Sequence, residues 1–140
     1  MYDIRIKNFI EEKENKDDNL TFYNNSRVIE INGNEIGFYT IKFIFNRLTV
    51  EYNLFSKYRN KGYGKDFLKL VLECVEKEYP EYSFIHVLIE PSNEASIKVA
   101  MDNGFGITQD YEFLEMVSQE GLYLFSRENT LNKHKKKILV

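Results

Sequence analysis

The chain has 140 residues, of which 43% are hydrophobic, and this fits one domain with an ordinary hydrophobic core. The formal net charge is −3, and four positive charges lie in Lys133-His134-Lys135-Lys136-Lys137, so the remaining chain is more acidic still. An acidic body lacks the basic patch that marks nucleic-acid binding, so nucleic acid is not expected as a partner. The single cysteine, Cys74, excludes an internal disulfide and argues against a zinc site, so no metal is expected.

The sequence shows neither a membrane-spanning segment nor a signal-peptide pattern. No segment reaches the ~18 apolar residues of a membrane span, and the chain begins with the alternating Tyr2-Asp3-Ile4-Arg5-Ile6 rather than a signal peptide. We therefore expect no membrane partner and a reducing, cytoplasmic compartment. Residues 1–130 are predicted to form a single domain, and residues 131–140 a basic tail.

The first half of the chain predicts strands. Residues 2–8 alternate between apolar and polar side chains, whereas residues 11–19 are charged without periodicity and predict a loop. A turn at Asn32-Gly33-Asn34 and a break at Asn46-Arg47 separate three further predicted strands, which cover residues 27–32, 35–45 and 48–55. Four consecutive strands indicate an antiparallel meander.

After residue 64 the period of the pattern changes. Residues 65–79 carry apolar side chains at helical spacing, with Cys74 on the apolar stripe and Pro80 as the stop. The nearly continuous apolar run at residues 83–89 predicts a strand covered on both faces. Asn93 can cap a second helix that runs to about residue 103 and ends before Gly104.

The end of the chain predicts a hairpin, formed by residues 110–117 and 121–127. The complete order of elements predicts an α/β (α+β) domain with a mixed, mostly antiparallel sheet flanked by helices. Residues 48–89 form a strand–helix–strand unit, which should place the fourth and fifth strands in parallel through a right-handed crossover.

The segment Arg59-Asn60-Lys61-Gly62-Tyr63-Gly64 lies between the fourth predicted strand and the first helix. Its glycines allow the backbone to approach a ligand, and the helix that follows directs free N–H groups and its positive dipole end at that ligand. The segment fits neither the Walker loop, Gly-x4-Gly-Lys-Ser/Thr, nor the Rossmann fingerprint, because position 67 is Phe. From this segment alone, two interpretations are possible, a phosphate-binding loop and a simple strand-to-helix turn.

A second motif stands about thirty residues downstream. The first segment resembles the Arg/Gln-x-x-Gly-x-Gly/Ala signature of the GNAT superfamily of acetyl-CoA-dependent N-acetyltransferases. The stretch from Asn93 to Phe105, with the form Asn-x-x-Ser-Ile-x-Val and a closing Gly-Phe, resembles the second motif of that superfamily. It is closest in style to the branch of ribosomal-protein N-terminal acetyltransferases. The resemblance covers about residues 27–127.

The resemblance implies a fold in which the fourth and fifth strands splay apart around acetyl-CoA. Main-chain groups of Leu54 and Ser56 would pair with the pantetheine amides, and a backbone N–H near Phe55 would serve the oxyanion. Asn93 would hydrogen-bond the cofactor arm, and it also fits a bare helix cap. The implied cofactor-binding residues are Leu54, Phe55, Ser56, Arg59, Asn60, Lys61, Gly62, Tyr63, Gly64, Lys65, Asn93 and Ser96.

The implied reaction is direct attack of an amine on the thioester, which needs a base for the amine proton and benefits from an acid for the thiolate. Many family members carry Tyr four residues before the closing Gly, where this chain has Ala100. Ser96 is the first candidate acid. Glu51 and Tyr52 on the fourth strand are candidate bases, together with Glu90, although each also fits an ordinary strand position and a water chain could carry the proton.

His86 has no evident Ser, Cys or Asp partner in the sequence and fits a packed core position better. The acceptor is predicted only as a primary amine of a small molecule or of a protein or peptide. Residues 9–26 are too few for the two helices that usually shape the acceptor site in the family, so the site would be open or completed by a partner, as in a homodimer. The alternatives are an acyl-CoA-binding regulatory module without turnover and a bare interaction domain.

Overall fold

A computed structural model describes residues 4–8 and 26–132. Seven strands form one sheet in the order β1-β2-β3-β4-β5-β7-β6. The strands are β1 (Ile4–Asn8), β2 (Ser26–Ile31), β3 (Asn34–Ile44), β4 (Arg47–Leu54), β5 (Phe84–Ile89), β6 (Gly106–Ile107) and β7 (Tyr123–Glu128). The helices are α1 (Gly64–Glu78), α2 (Glu94–Asp102) and α3 (Tyr111–Val117). The predicted loop at residues 11–19 and the lysines of the predicted basic tail lie outside the described residues.

The first four strands form the predicted antiparallel meander. Two-residue turns join β2 to β3 and β3 to β4. Both central residues of each turn have positive φ, 52° and 81° at Asn32 and Gly33, and 48° and 63° at Phe45 and Asn46. Left-handed pairs of this kind match the right-handed twist of hairpin strands. Phe45 therefore belongs to the turn and not to the predicted third strand.

The main core lies between the sheet and helix α1. The buried face of α1 carries Phe67, Leu68, Val71, Leu72 and Val75, at the predicted helical spacing. Each such side chain contributes roughly 1.5–3 kcal/mol when it leaves water. The helix ends at Glu78, two residues before Pro80, as predicted.

Cys74 is half-buried beside this core. Its burial, with smaller contributions from nearby charges that include Glu78, raises the pKa of the thiol to about 11. The thiol therefore keeps its proton at neutral pH and packs as a small apolar group, as its place on the apolar stripe predicted.

Strands β4 and β5 are parallel, as predicted, and pair through one register position, Thr49 with His86. Beyond that pair the strands follow different neighbours. β4 stays on β3 as far as Leu54, whereas β5 stays on β7 as far as Ile89. The result is a gap between residues 50–54 and residues 87–89, which we call the wedge. Its narrow end is the Thr49–His86 pair.

The predicted hairpin of residues 110–117 and 121–127 is wrong in its first half, because residues 111–117 form helix α3. The Oδ1 atom of Asp110 accepts a hydrogen bond from the Phe113 N–H at 3.0 Å and caps this helix. Phe113 and Val117, one turn apart, are both buried against Leu124. Strand β6 is the short Gly106–Ile107, which pairs with β7. The second half of the prediction is correct to within two residues.

Helix α3 lies on the opposite face of the sheet from α1. Leu88 packs against the α3 cluster, whereas its neighbours Val87 and Ile89 pack in the core under α1, and adjacent strand residues point to opposite faces. We call these the α1 face and the α3 face. Among the described helices, none is long and apolar enough to cross a bilayer.

Candidate active site

The loop between β4 and α1 is built from unusual backbone conformations. A short 3-10 turn at Ser56–Tyr58 follows β4, and the chain then takes positive φ at Asn60 (59°) and Gly62 (85°). Asn and Gly tolerate this left-handed region better than other residues. A β-carbon added at Gly62 would meet no atom within 4 Å, so the loop is open towards solvent at this point.

The N-terminus of α1 has backbone N–H groups that make no hydrogen bond within the helix. The first helical hydrogen bond runs from the Phe67 N–H to the Tyr63 carbonyl at 2.9 Å, and no side chain caps the helix. The N–H groups of the first turn therefore lack acceptors within the helix. Lys61 and Lys65 are exposed beside them. Donors, dipole and lysines together favour an anion at this position.

Gly64 has a different task from Gly62. A β-carbon at Gly64 would lie 2.8 Å from Cγ2 of Val99 on α2. The glycine therefore lets the first turn of α1 lie directly against α2. Asn103 secures the same contact from the other side, because its Nδ2 donates to the carbonyls of Lys65 and Val99 at 3.2 and 3.0 Å.

Several main-chain groups at the wide end of the wedge already have hydrogen-bond partners within the protein. The Phe55 N–H, which the resemblance implied as an oxyanion donor, donates to the Ile36 carbonyl at 2.9 Å. Nε of Arg59 donates to the Leu54 carbonyl at 2.9 Å, and the Ser56 carbonyl accepts from the Arg59 N–H at 3.2 Å. A ligand that pairs with Leu54 would therefore replace the Arg59 side chain.

Asn93 caps α2 as predicted. Its Oδ1 accepts a hydrogen bond from the Ser96 N–H at 3.1 Å. The cap uses the oxygen alone, so the Nδ2 donors have no acceptor among the described residues. Gly104 follows the helix with φ 86°, the left-handed conformation expected at this position.

The candidate catalytic side chains lie on different faces of the sheet. Tyr52 points to the α1 face, and its hydroxyl donates to the Ser96 carbonyl at 3.1 Å, which brings these two candidates together. Burial raises the pKa of Tyr52, so the phenol stays protonated. Glu51 points to the α3 face and pairs with Lys42 at 2.6 Å. Glu90 is exposed beyond the end of β5.

Ala100, where many relatives of the implied superfamily carry Tyr, is fully buried in the core. It lies four residues after Ser96 on α2, so the Tyr52 hydroxyl reaches the helix one turn before it. The structure therefore supplies a phenol to this part of α2 from the neighbouring strand.

A family model described as an acetyltransferase (GNAT) domain matches residues 3–106. The chain belongs to the GNAT acetyltransferase family. This confirms the family that the two motifs predicted. Among curated protein sequences, none matches this chain.

Solved structures with the same fold include GNAT enzymes of several kinds. An acetyltransferase from Bacillus anthracis is 18% identical, with a TM-score of 0.57, and the match covers 75% of this chain and 66% of that one. AAC(6')-Ib in complex with ribostamycin and coenzyme A is 17% identical with a TM-score of 0.59, and the match covers 76% of this chain and 64% of that one. The ribosomal-protein-S18-alanine N-acetyltransferase from Escherichia coli is 16% identical with a TM-score of 0.51, and the match covers 74% of this chain and 67% of that one. The match thus spans about two thirds of the length of each, and at this identity it shows the fold.

On the α3 face of this GNAT domain, His86 is 3% exposed, which fits the predicted core position. Its Nδ1 lies 2.6 Å from Oγ of Ser126, and its ring packs edge-on against Phe113. The expectation that His86 lacks a serine partner was therefore wrong. Ser126 lies 40 residues downstream, and only the register of β5 on β7 places it opposite His86.

Burial lowers the pKa of His86 to about 4. The carboxylate of Asp110 opposes this shift and the guanidinium of Arg47 adds to it. The imidazole is therefore neutral at neutral pH.

A pocket of about 580 Å³ lies beside His86 on the same face of the GNAT domain. It was not predicted, since it is formed by segments far apart in the chain. Its lining residues are Phe84, His86, Gly104, Gly106, Ile107, Thr108, Gln109, Asp110, Ser126, Arg127 and Glu128. Within residues 4–8 and 26–132, no group of side chains is arranged to hold a metal ion.

Proposed function

We propose that this protein is an N-acetyltransferase that moves an acetyl group from acetyl-CoA to a primary amine. The observation that carries the proposal is the wedge between β4 and β5, whose wide end lies beside the uncapped N-terminus of α1. Family membership supports acetyl transfer, and solved neighbours in complex with coenzyme A or acetyl-CoA support the cosubstrate.

The loop of residues 59–65 would hold the pyrophosphate. The left-handed residues Asn60 and Gly62 and the free N–H groups of α1 provide backbone donors, while Lys61 and Lys65 provide positive charge. The open space at Gly62 gives room for the phosphates. Nδ2 of Asn93 is available to the pantetheine arm.

Transfer would proceed by direct attack. A bond forms between the amine nitrogen and the acetyl carbon, the carbon–sulfur bond breaks, and the amine proton leaves through water or a base. The products are an N-acetyl amine and the coenzyme A thiol. Tyr52 keeps its proton at neutral pH because burial raises its pKa. Its single O–H is donated to the Ser96 carbonyl. Tyr52 could therefore donate to the departing thiolate only by turning this O–H away from Ser96.

The acceptor is proposed as a primary amine on a small molecule, or on a protein or peptide. AAC(6')-Ib was solved with aminoglycosides, and the Escherichia coli neighbour is named for a ribosomal protein, so both kinds of acceptor occur on this fold. A cytoplasmic location and a homodimer stay predictions.

Two measurements test the proposal. Acetyl-CoA should raise the melting temperature of the protein in a concentration-dependent way, because it binds the folded state. Release of free coenzyme A thiol should then depend on an added amine. Stabilisation without thiol release across amines and peptides would favour an acyl-CoA-binding regulatory module instead. No stabilisation by acetyl-CoA would overturn both.

A further inference from the structure

The first turn of α1 lies against the second half of α2 without room for a side chain at position 64. A β-carbon built at Gly64 would lie 2.8 Å from Cγ2 of Val99, and the next nearest atoms, at 3.9 Å, are Cβ and Cγ1 of the same valine. A β-carbon in a folded protein does not approach another carbon as closely as 2.8 Å. Gly64 is the first residue of α1 and does not have positive φ, so only space, and not backbone conformation, requires glycine here.

Val99 has little freedom to turn away from α1. It lies within α2, and in a helix a β-branched side chain has one strongly preferred rotamer. The side chain is also half-buried beside the main core. A larger residue at position 64 would therefore push the first turn of α1 away from α2, since the valine cannot easily move aside.

Asn103 ties the two helices together at the same place. Its Nδ2 donates to the Lys65 carbonyl at 3.2 Å, in the first turn of α1, and to the Val99 carbonyl at 3.0 Å. The Asn103 carbonyl in turn accepts a hydrogen bond from Nη1 of Arg127 on β7 at 2.8 Å, and Arg127 stands 3.8 Å from the Glu76 carboxylate. The end of α2 is thus fixed both to the start of α1 and to the sheet.

Each of these helices carries one part of the proposed acetyl-CoA site at its N-terminus. α1 begins in the phosphate loop, and α2 begins after Asn93, whose Nδ2 is available to the pantetheine arm. The pyrophosphate and the pantetheine arm belong to one molecule, so both contacts can form together only at a suitable distance between the two helix starts. A spacing that is set before binding avoids the free-energy cost of ordering the site around the ligand.

We propose that Val99 and Asn103 are positioning residues for acetyl-CoA, which set the distance between α2 and the first turn of α1. The assignment rests on the proposed function. Neither side chain needs to touch the cofactor. Val99 is a steric stop that requires glycine at position 64, and Asn103 holds the turn against this stop. Together they fix where the free N–H groups of α1 stand relative to Asn93.

The first experiment is a double-mutant cycle on the steric stop. Gly64→Ala adds the methyl group that would clash with Cγ2 of Val99, and it should weaken acetyl-CoA binding about tenfold or more. Val99→Ala removes Cγ1 and Cγ2, so the nearest remaining atom of residue 99 is Cβ, at an ordinary contact distance of 3.9 Å. The double variant Gly64→Ala/Val99→Ala should therefore bind acetyl-CoA within about threefold of the unmodified protein. Calorimetric titration measures these affinities.

The rescue separates positioning from direct obstruction. If the double variant bound acetyl-CoA as weakly as Gly64→Ala, the added methyl group would itself hinder the phosphates, and the role of Val99 would be overturned. Unchanged binding by Gly64→Ala would overturn it as well, because the spacing of the helices would then not matter.

The second experiment compares two asparagines that bond opposite ends of α1. Nδ2 of Asn103 donates to the Lys65 carbonyl at the start of the helix, and Nδ2 of Asn129 donates to the Tyr79 carbonyl at its end, at 2.9 Å. Both alanine substitutions remove an amide donor from the backbone of this region. Asn103→Ala should weaken acetyl-CoA binding about three- to tenfold, whereas Asn129→Ala should keep the affinity of the unmodified protein. Equal affinities in the two variants would overturn the positioning role of Asn103.

The unmodified protein separates this proposal from the proposed function. Acetyl-CoA binding that survives both Gly64→Ala and Asn103→Ala unchanged overturns the positioning roles alone. No binding of acetyl-CoA to the unmodified protein overturns the proposed function and, with it, the positioning roles of Val99 and Asn103.

Discussion

The two faces of the sheet are built in different ways. The α1 face, with the phosphate loop and α2, uses backbone groups, a helix cap and a helix whose apolar residues recur at short spacing. The α3 face uses side-chain pairs between distant residues, such as Arg47 with Asp110 and His86 with Ser126. The comparison teaches that the motifs of the cofactor cleft can be local in the sequence, whereas the polar pairs of the opposite face depend on tertiary contacts.

The largest expected effect tests whether α3 is an integral part of its face. Phe113→Ala should lower the free energy of unfolding by about 3–5 kcal/mol, because Phe113 is fully buried against the sheet and its removal leaves a cavity. Tyr111 on the same helix is 71% exposed, and Tyr111→Ala should change the free energy of unfolding by less than about 0.5 kcal/mol. Urea denaturation measures both. Similar values would mean that α3 is only loosely attached.

The next prediction tests the phosphate loop on the α1 face. Gly62→Glu should weaken acetyl-CoA binding on the order of 100-fold or more, because a carboxylate would meet the phosphates. Gly33 is a matched control, since it also has positive φ and open space around its added β-carbon. Gly33→Glu should carry the same backbone strain and keep acetyl-CoA binding. Calorimetric titration gives both affinities, and equal losses in the two variants would remove the loop from the binding site.

A pH comparison tests the buried pair on the α3 face. Because the pKa of His86 is lowered to about 4, the unfolded chain takes up a proton near pH 6.5 that the folded chain resists. The contribution of His86 to stability is complete above pH 6.5 and is lost as the pH falls towards 4. Between pH 7 and pH 5 the loss should be about 2 kcal/mol.

The control for this measurement is His86→Gln, which cannot take up the proton. Its unfolding free energy should lack this decrease between pH 7 and pH 5. The Arg47 hydrogen bond holds the pKa of Asp110 below its usual value, so this carboxylate stays ionised over that range in both proteins. Parallel curves for the two proteins would contradict a neutral, buried His86.

The smallest expected effect tests the link between β4 and α2 on the α1 face. Tyr52→Phe removes the hydrogen bond to the Ser96 carbonyl and should lower the unfolding free energy by about 1 kcal/mol. Tyr58 is the control, because its hydroxyl makes no hydrogen bond with the described residues. Tyr58→Phe should be close to neutral in thermal denaturation. A larger loss in Tyr58→Phe than in Tyr52→Phe would count against the link.

Most of the α1 face could be predicted because its signals are local. The helical spacing of Phe67 to Val75, the Asn93 cap and the left-handed Gly104 each depend on residues within a few positions of one another. The α3 face was predicted less well. Tyr111 and Phe113 alternate as in a strand, but burial of Phe113 and Val117 on one side decides for a helix, and Asp110 was the overlooked capping signal.

The sequence by itself determined the family, the order of the meander and crossover, and the loop from Arg59 to Gly64, because these follow from periodicity, turns and short motifs. Tertiary structure alone decided which candidates meet: Tyr52 with Ser96, Glu51 with Lys42, and His86 with Ser126. The register of β5 on β7 decides the pair of His86 with Ser126, and the packing of α2 against β4 decides that of Tyr52 with Ser96. Glu51 and Lys42 meet across the hairpin of β3 and β4. Because it is formed by segments far apart in the chain, the pocket beside His86 has no signature in any single segment.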